Sequence, residues 1–207
     1  MENLNIQLLE SIYKLLMRNG IKSMTMDDIA RNLGLSKKTL YKSFKDKADL
    51  VYKVLENYLE EDKKALNSIC LLKYNAIDEM YAITKHVGEQ IKDIHPSIHF
   101  DLEKYYPQAW QIFINYKLNF IFSCVKANLE KGIEEQLYRE NLNAAIIAKI
   151  HISRIEAIFD SNIFPVSEFR FTDVHNQVMR YHIRGIASEK GLKYMIKKYK
   201  NTNLDLI

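Results

Sequence analysis

The chemistry of this sequence concentrates in one short stretch, GLSKKTLYKSFKDK, residues 34–47. It holds Lys37, Lys38, Lys42, Lys45 and Lys47 against the single acid Asp46, five positive charges less one negative, a local +4. The formal charge of the whole 207-residue chain is also +4, so this one segment matches the excess of the entire chain. Clustered ammonium groups do electrostatic rather than bond-making chemistry, and they draw an anionic partner to one face. Leu40, Tyr41 and Phe44 are interleaved with the lysines at positions that want burial. The segment therefore reads as a short helix anchored on one side and charged on the other.

Elsewhere, reactive constellations are sparse. His95 and His99 stand at i, i+4 with Asp101 and Glu103 close by, but Pro96 breaks helical geometry and no cysteine joins them. They read as polar residues at a helix start, and neither a metal nor another cofactor is expected. Cys70 and Cys124 are isolated, lack a CxxC, and read as buried reduced thiols. His151, His175 and His182 fall on faces that look buried and read as hydrogen-bonded interface residues, with a pH-sensing or ligand-binding role as the alternative. No Ser-His-Asp set or carboxylate pair has enough context for catalysis, so the chain is not expected to be an enzyme.

The elements that position the basic segment follow from composition and punctuation. A chain 47% hydrophobic and 27% charged is ordinary for a globular protein. Gly 6 and Pro 3 are few breakers for this length, which favours an all-α chain over a sandwich or barrel. The N-terminus lacks the basic and apolar regions of a signal peptide, and no run approaches the ~18 apolar residues of a membrane span, so a cytoplasmic protein without a membrane partner is expected.

Apolar residues at three-to-four spacing (Leu8, Ile12, Leu15, Leu16) predict a helix over 3–18, ended by Asn19-Gly20. Thr25 caps the next, with Asp28 completing a Thr-x-x-Asp capping box, and that helix spans 26–32. Gly34 supplies a turn with φ > 0, and Ser36 caps a helix through about Phe44. Asp46-x-x-Asp49 caps a long fourth helix to about Leu72. Longer helices are predicted over 74–93, 97–105, 107–131, 141–160 and 168–199.

Short helix, glycine turn, short helix, with Ile29, small Ala30, Leu35 and Leu40 at these offsets, is a helix-turn-helix, whose second helix lies in the major groove of double-stranded DNA. With Leu40 turned inward, Lys37, Lys38, Thr39, Tyr41 and Lys42 occupy the outward face and leading end. Ser36 leads the helix, where backbone N–H groups suit a phosphate, Lys47 suits a backbone clamp, and Thr25 joins them as a candidate DNA contact. Lysines on phosphates give affinity and salt dependence; base reading falls to Lys37, Lys38, Thr39 and Lys42.

The run TMDDIARNLGLSKKTLYKSFKDKADLVYKVL resembles the N-terminal signature of the TetR family of bacterial repressors. The resemblance rests on Thr25, Ile29-Ala30, Gly34-Leu35-Ser36, Leu40-Tyr41, Phe44 and Lys47, and covers about the first 60 residues. Residues 183–195, IRGIASEKGLKYM, resemble C-terminal segments of some members more weakly. Lys38 departs from the pattern, since the family often has glycine there. The resemblance implies an all-α homodimer that represses transcription from a palindromic operator and releases it when a small-molecule effector, apolar and otherwise unknown, binds. It implies a helix-turn-helix domain over 1–48 and a helical ligand-binding and dimerisation domain over 49–207.

Within that second domain, Ile146, Ile150 and Ile155 on one helix and Val174, Val178, Tyr181, His182 and Gly185 on the next are the candidate dimer interface. The aromatic middle of the chain suggests His86, Phe100, Tyr105, Trp110, Phe113 and Tyr116 as effector contacts. The break at Tyr105-Tyr106-Pro107 suggests a joint through which an effector moves the fourth helix. A non-regulatory DNA-binding protein without a ligand pocket is the alternative.

Overall fold

The structure is a computed structural model that describes residues 2–199, with side chains from residue 6 onward. The described residues form α1 (Glu2–Asn19), α2 (Met26–Asn32), α3 (Lys37–Ser43), α4 (Lys47–Leu71), α5 (Ala76–Ile91), α6 (Ile98–Tyr105) and α7 (Pro107–Asn115). A π-helical segment (Tyr116–Ile121) follows, then α8 (Phe122–Glu134), α9 (Ala144–Phe159), α10 (Phe171–Ile186) and α11 (Glu189–Tyr199). The fold is all-α, and no helix among the described residues is long and apolar enough to cross a membrane.

The chain forms two compact units. The first comprises residues 1–64 and 93–116, so α6 and α7 belong with the N-terminal helices. Ile12, Leu16, Ile29, Leu40 and Leu50 are each 1% exposed or less in it. Capping matches the sequence reading: Thr25 and Asp28 form the reciprocal box, and Ser36 Oγ accepts from Thr39 N at 3.0 Å. Gly34 has φ +65°, the left-handed turn that separates α2 from α3.

The second unit comprises residues 65–92 and 117–207, of which 65–92 and 117–199 are described. Its core joins Ile77 and Met80 of α5, Val125 and Leu129 of α8, Ala148 of α9 and Met179, Ile183 and Ile186 of α10. A polar network crosses this core. Asn128 Nδ2 donates to Ala76 O at 3.0 Å and to Glu79 Oε1 at 2.9 Å, and Lys131 neutralises Glu79 at 2.6 Å. The Tyr138 hydroxyl lies within hydrogen-bonding distance of both Ala76 O and Asn128 Oδ1. At the far end Asp78 accepts from Tyr194 and Lys198, at 2.7 and 2.6 Å, fastening α11 to α5. Satisfying each buried group in this way avoids the cost of an orphaned donor or carboxylate.

Two predicted helices are interrupted. The helix expected over 107–131 contains the π-helical turn at Tyr116–Ile121 and extends to Glu134. Inside the π segment Lys117 is buried and paired with Glu156 of α9. The helix expected over 168–199 starts at Phe171 and breaks at Ala187-Ser188. There the chain pairs with the segment after α8: Arg139 N donates to Ile186 O at 2.9 Å, and Ser188 N donates to Leu137 O at 3.0 Å. Ser188 Oγ then accepts from Gly191 N at 3.0 Å, which restarts the helix as α11.

Gly132 sits inside α8, where its missing side chain makes room for the Tyr138 ring. A Cβ at Gly132 would fall within that ring, and the ring is buried too deeply to yield. Gly132→Ala is therefore expected to cost about 1–3 kcal/mol or more by overpacking, outweighing the ~1 kcal/mol that alanine gains in helix propensity. Urea denaturation followed by far-UV circular dichroism measures the balance; an alanine variant as stable as the parent would contradict it.

Candidate functional site

α3 is only seven residues long, too short to hold itself in water, so its conformation depends on its caps and on burial. Leu40 is 0% and Phe44 2% exposed, whereas Tyr41, between them, is 45% exposed. One helical turn thus separates the anchor from the outward face. Ser36, Lys37, Lys38, Thr39, Tyr41 and Lys42 are all exposed and lie together on α3 and its cap. Thr25 is exposed at the start of α2, with its hydroxyl engaged by Asp28 at 2.6 Å.

The lysines of the stretch are not equivalent. Lys37 Nζ pairs with Asp27 at 2.8 Å across the turn, both side chains exposed, and that hydrogen bond raises its pKa. Such a surface pair is weak and exchanges readily for a phosphate. Lys38 and Lys42 have no ion-pair partner among the described residues, which leaves their charge available.

Lys47 is half-buried, and burial lowers its pKa. Its ammonium donates to Lys22 O at 3.3 Å and lies 5.8 Å from the centre of the Tyr106 ring. Lys22 in turn donates its backbone N–H to buried Asp101 at 2.9 Å and its ammonium to the Tyr105 hydroxyl at 2.7 Å. Asp101 also accepts from Ser97 Oγ at 3.0 Å. Sequence reasoning named Lys47 and the Tyr105–Pro107 break separately and missed Lys22 and Asp101, which join them. The Lys22–Asp101 pair spans 79 residues of sequence, and no local spacing signals it.

The six residues expected to contact an effector are not brought together. Trp110 and Phe113 form an aromatic cluster with His99, with ring centres 4.7 Å (His99–Trp110) and 5.5 Å (Trp110–Phe113) apart. Phe100 and Tyr105 instead face outward, 53% and 36% exposed, beneath Lys104. Tyr116 is buried and donates its hydroxyl to Asp62. His86 is a half-buried residue of α5 in the other unit.

The predicted dimer set also divides. Ile146, Ile150, Tyr181 and Gly185 are exposed, Tyr181 by 74%, on neighbouring helices α9 and α10. Ile155 and Val178 are half-buried. Val174 and His182 are buried inside the unit, so they belong to its core rather than to an outward face. Two of the histidines are hydrogen-bonded only in part. His175 Nδ1 and His182 Nε2 are buried without a hydrogen-bond partner among the described residues. Burial, with the neighbouring His182 and Arg154 charges, pulls the pKa of His151 down to about 3. Burial and Arg154 pull that of His182 to about 4.

This arrangement, an exposed basic helix on a buried two-helix anchor, defines a helix-turn-helix DNA-binding protein. Residues 8–54 match the family model "Bacterial regulatory proteins, tetR family". An uncharacterised HTH-type transcriptional regulator, YvaF of Bacillus subtilis (strain 168), is 23% identical over 185 residues, 89% of this chain and 96% of the relative. An HTH-type transcriptional regulator of Staphylococcus aureus (strain USA300) is 42% identical over 57 residues, 27% of this chain and 31% of that protein. Among solved structures, the B. subtilis regulator FadR in complex with stearoyl-CoA superposes with a TM-score of 0.67 at 15% identity, covering 88% of this chain and 99% of FadR. A transcriptional regulator from Saccharomonospora viridis in complex with choline gives 0.71 at 13% identity, covering 91% and 100%. The likeness to these structures is one of fold. Over residues 8–54 the chain is thus similar to the bacterial regulatory proteins of the tetR family, and over most of its length to an HTH-type transcriptional regulator.

The depressed histidines make stability depend on pH. An imidazole held neutral in the fold but free to protonate when unfolded does not affect stability above the ordinary value of 6.5. Stability is then lost as pH falls from 6.5 towards about 4, by up to ~1.4 kcal/mol per pH unit for each histidine. Urea unfolding across that window, for the parent and His182→Gln, isolates the contribution; the variant should show the shallower loss, and parallel curves would refute it.

Proposed function

We propose that this DNA-binding transcriptional regulator is a homodimeric repressor that works in the cytoplasm. It binds a palindromic operator and releases it when a small effector binds. The observation that carries the DNA reading is the division of α3: Leu40 fully buried, Tyr41 exposed, and Lys38 and Lys42 on the outward side without an ion-pair partner among the described residues. These lysines supply phosphate neutralisation and hence salt dependence. Lys38, in the first turn of α3, is placed where helix-turn-helix proteins touch base edges, and Tyr41 can donate its hydroxyl to the backbone. Thr25, Ser36, Lys37, Thr39 and Lys47 complete the proposed interface.

Dimerisation is assigned to the outward face of α9 and α10, through Ile146, Ile150, Tyr181 and Gly185, with residues 1–48 as the DNA-binding domain and 49–207 as the domain for effector and dimer. An apolar face of this kind on adjacent helices supports self-association. The solved relatives named with stearoyl-CoA and with choline support an effector-responsive reading, and the aromatic cluster of His99, Trp110 and Phe113 suits apolar contact. Coupling within the first unit is assigned to the α6–α7 joint. Through Asp101, Tyr105 and Tyr106 that joint touches Lys22 and Lys47, so a shift there re-aims the start of α4.

Gel-shift titration on the promoter beside its own gene, against random DNA at two salt concentrations, tests the repressor reading. Equal affinity for the two DNAs would sink it. Tyr41→Ala is expected to weaken operator binding about tenfold or more while melting temperature and oligomeric state persist. Lys38→Ala should lower the salt slope by about one. On the α9–α10 face, Ile150→Glu is expected to give a monomer by sedimentation velocity, since a charge at the centre of an apolar interface cannot be desolvated without a partner. A variant that remains dimeric would move the interface elsewhere.

A further inference from the structure

We propose that α9 and α10 of the second unit carry the recognition end of a binding site for a small organic anion, with Arg154 and His182 as the groups that hold its carboxylate or phosphate. The assignment begins with Arg154. Its guanidinium is half-buried, lies 5.6 Å from the centre of the Tyr181 ring, and has no carboxylate partner among the described residues. Glu156, the nearest acid along α9, is taken by Lys117. A guanidinium cannot accept a hydrogen bond, so its 3.4 Å contact with His182 Nδ1 makes that nitrogen the acceptor.

The neutral ring must then carry its proton on Nε2. That atom is buried and has no acceptor among the described residues. Among the described residues the cluster thus presents a cation without a counter-ion and an N–H without an acceptor, and one anionic oxygen-bearing group satisfies both. His151 lies edge-on to His182 with ring centres 4.8 Å apart. His175, two turns before His182 on α10, adds a second buried unpartnered nitrogen, Nδ1. Facing it from α5 is Gly88, where a Cβ would lie 4.0 Å from that nitrogen, so this position of α5 offers it no polar side chain.

The electrostatic neighbours of His151 and His182 are one another, His175 and Arg154, and no acid is among them. His175 is set by its burial and a hydrogen bond with Asn176, again without an acid. A second copy of the chain could reach exposed Tyr181, but not the imidazole nitrogens, each 3–5% exposed as residues. The occupant that fits is a small molecule with Arg154 at its entry. The binding does not depend on the regulatory reading; its consequence for operator release does.

The test uses the full-length chain and two matched probe pairs, benzoate with benzamide and octanoate with octanamide, followed by isothermal titration calorimetry. At least one carboxylate is expected to bind about tenfold or more tightly than its neutral amide. Arg154→Gln should reduce that preference about tenfold, with unchanged melting temperature and oligomeric state. His182→Phe, which keeps the ring volume but removes the donor, should do the same, and His182→Gln should restore part of it. In ¹⁵N spectra of the histidine rings the unliganded parent should show His182 as the Nε2–H tautomer, and the carboxylate should shift that signal.

Failure of both carboxylates to bind, binding equal to the amides, or binding indifferent to Arg154→Gln overturns the site. Loss of the dimer in Arg154→Gln with carboxylate binding intact assigns Arg154 to the subunit interface and also overturns it. Carboxylate binding that leaves operator affinity unchanged keeps the site but refutes effector control through it.

Discussion

A seven-residue helix with lysines on its surface cannot support itself, and the first unit is organised around that constraint. Nucleating so short a helix is unfavourable, and its like charges repel. Its order comes from outside: Ser36 closes the first turn, while Leu40 and Phe44 sink fully into the unit. Leu35 N reaches back to Ala30 O at 2.9 Å, which fixes the turn with Gly34 in the left-handed region. With backbone and anchor fixed, the cations have one direction left, outward. The basic face is a consequence of the anchor.

The same unit places α6 and α7 against this arrangement through polar contacts. Asp101 is buried and would be costly alone; the Lys22 backbone N–H and Ser97 hydroxyl satisfy it. Lys22 then reaches Tyr105, and Lys47 reaches the Lys22 carbonyl. Gly20 sits at this junction with φ +84°, and a Cβ there would lie 3.0 Å from Ser97 Oγ. Backbone, carboxylate and ammonium groups form one continuous chain from the α1–α2 turn to the α6–α7 joint. Polar networks of this kind have few alternative arrangements that keep every group satisfied.

The second unit shows two treatments of buried polarity. Around Asn128, Glu79, Lys131 and Tyr138 each group has partners, and the network locks α5, α8 and the chain after α8 together. Between α9 and α10 the opposite holds. Among the described residues Arg154 has no acid, and one nitrogen each of His175 and His182 has no hydrogen-bond partner. Buried polar groups in native proteins are nearly always satisfied, so the contrast separates a structural network from one that is incomplete in the isolated chain.

The helical class, the caps at Thr25 and Ser36, the turn at Gly34, and the separation of Leu40 and Phe44 from Tyr41 are legible in the residues alone. All of these are set within a few residues by helical period, side-chain-to-backbone hydrogen bonds and backbone sterics, so one stretch of chain contains the whole cause. The rest depends on contacts between distant parts of the chain. Arg154 meets His182 across 28 residues, Lys22 meets Asp101 across 79, and the helix after α10 breaks because Ser188 pairs with a segment about fifty residues earlier. Such contacts also turn Val174 and His182 inward while leaving Ile150 and Tyr181 outside, although all four sit on similar apolar patterns. Periodicity gives the faces of a helix; which face is covered depends on the neighbours that long-range packing brings against it.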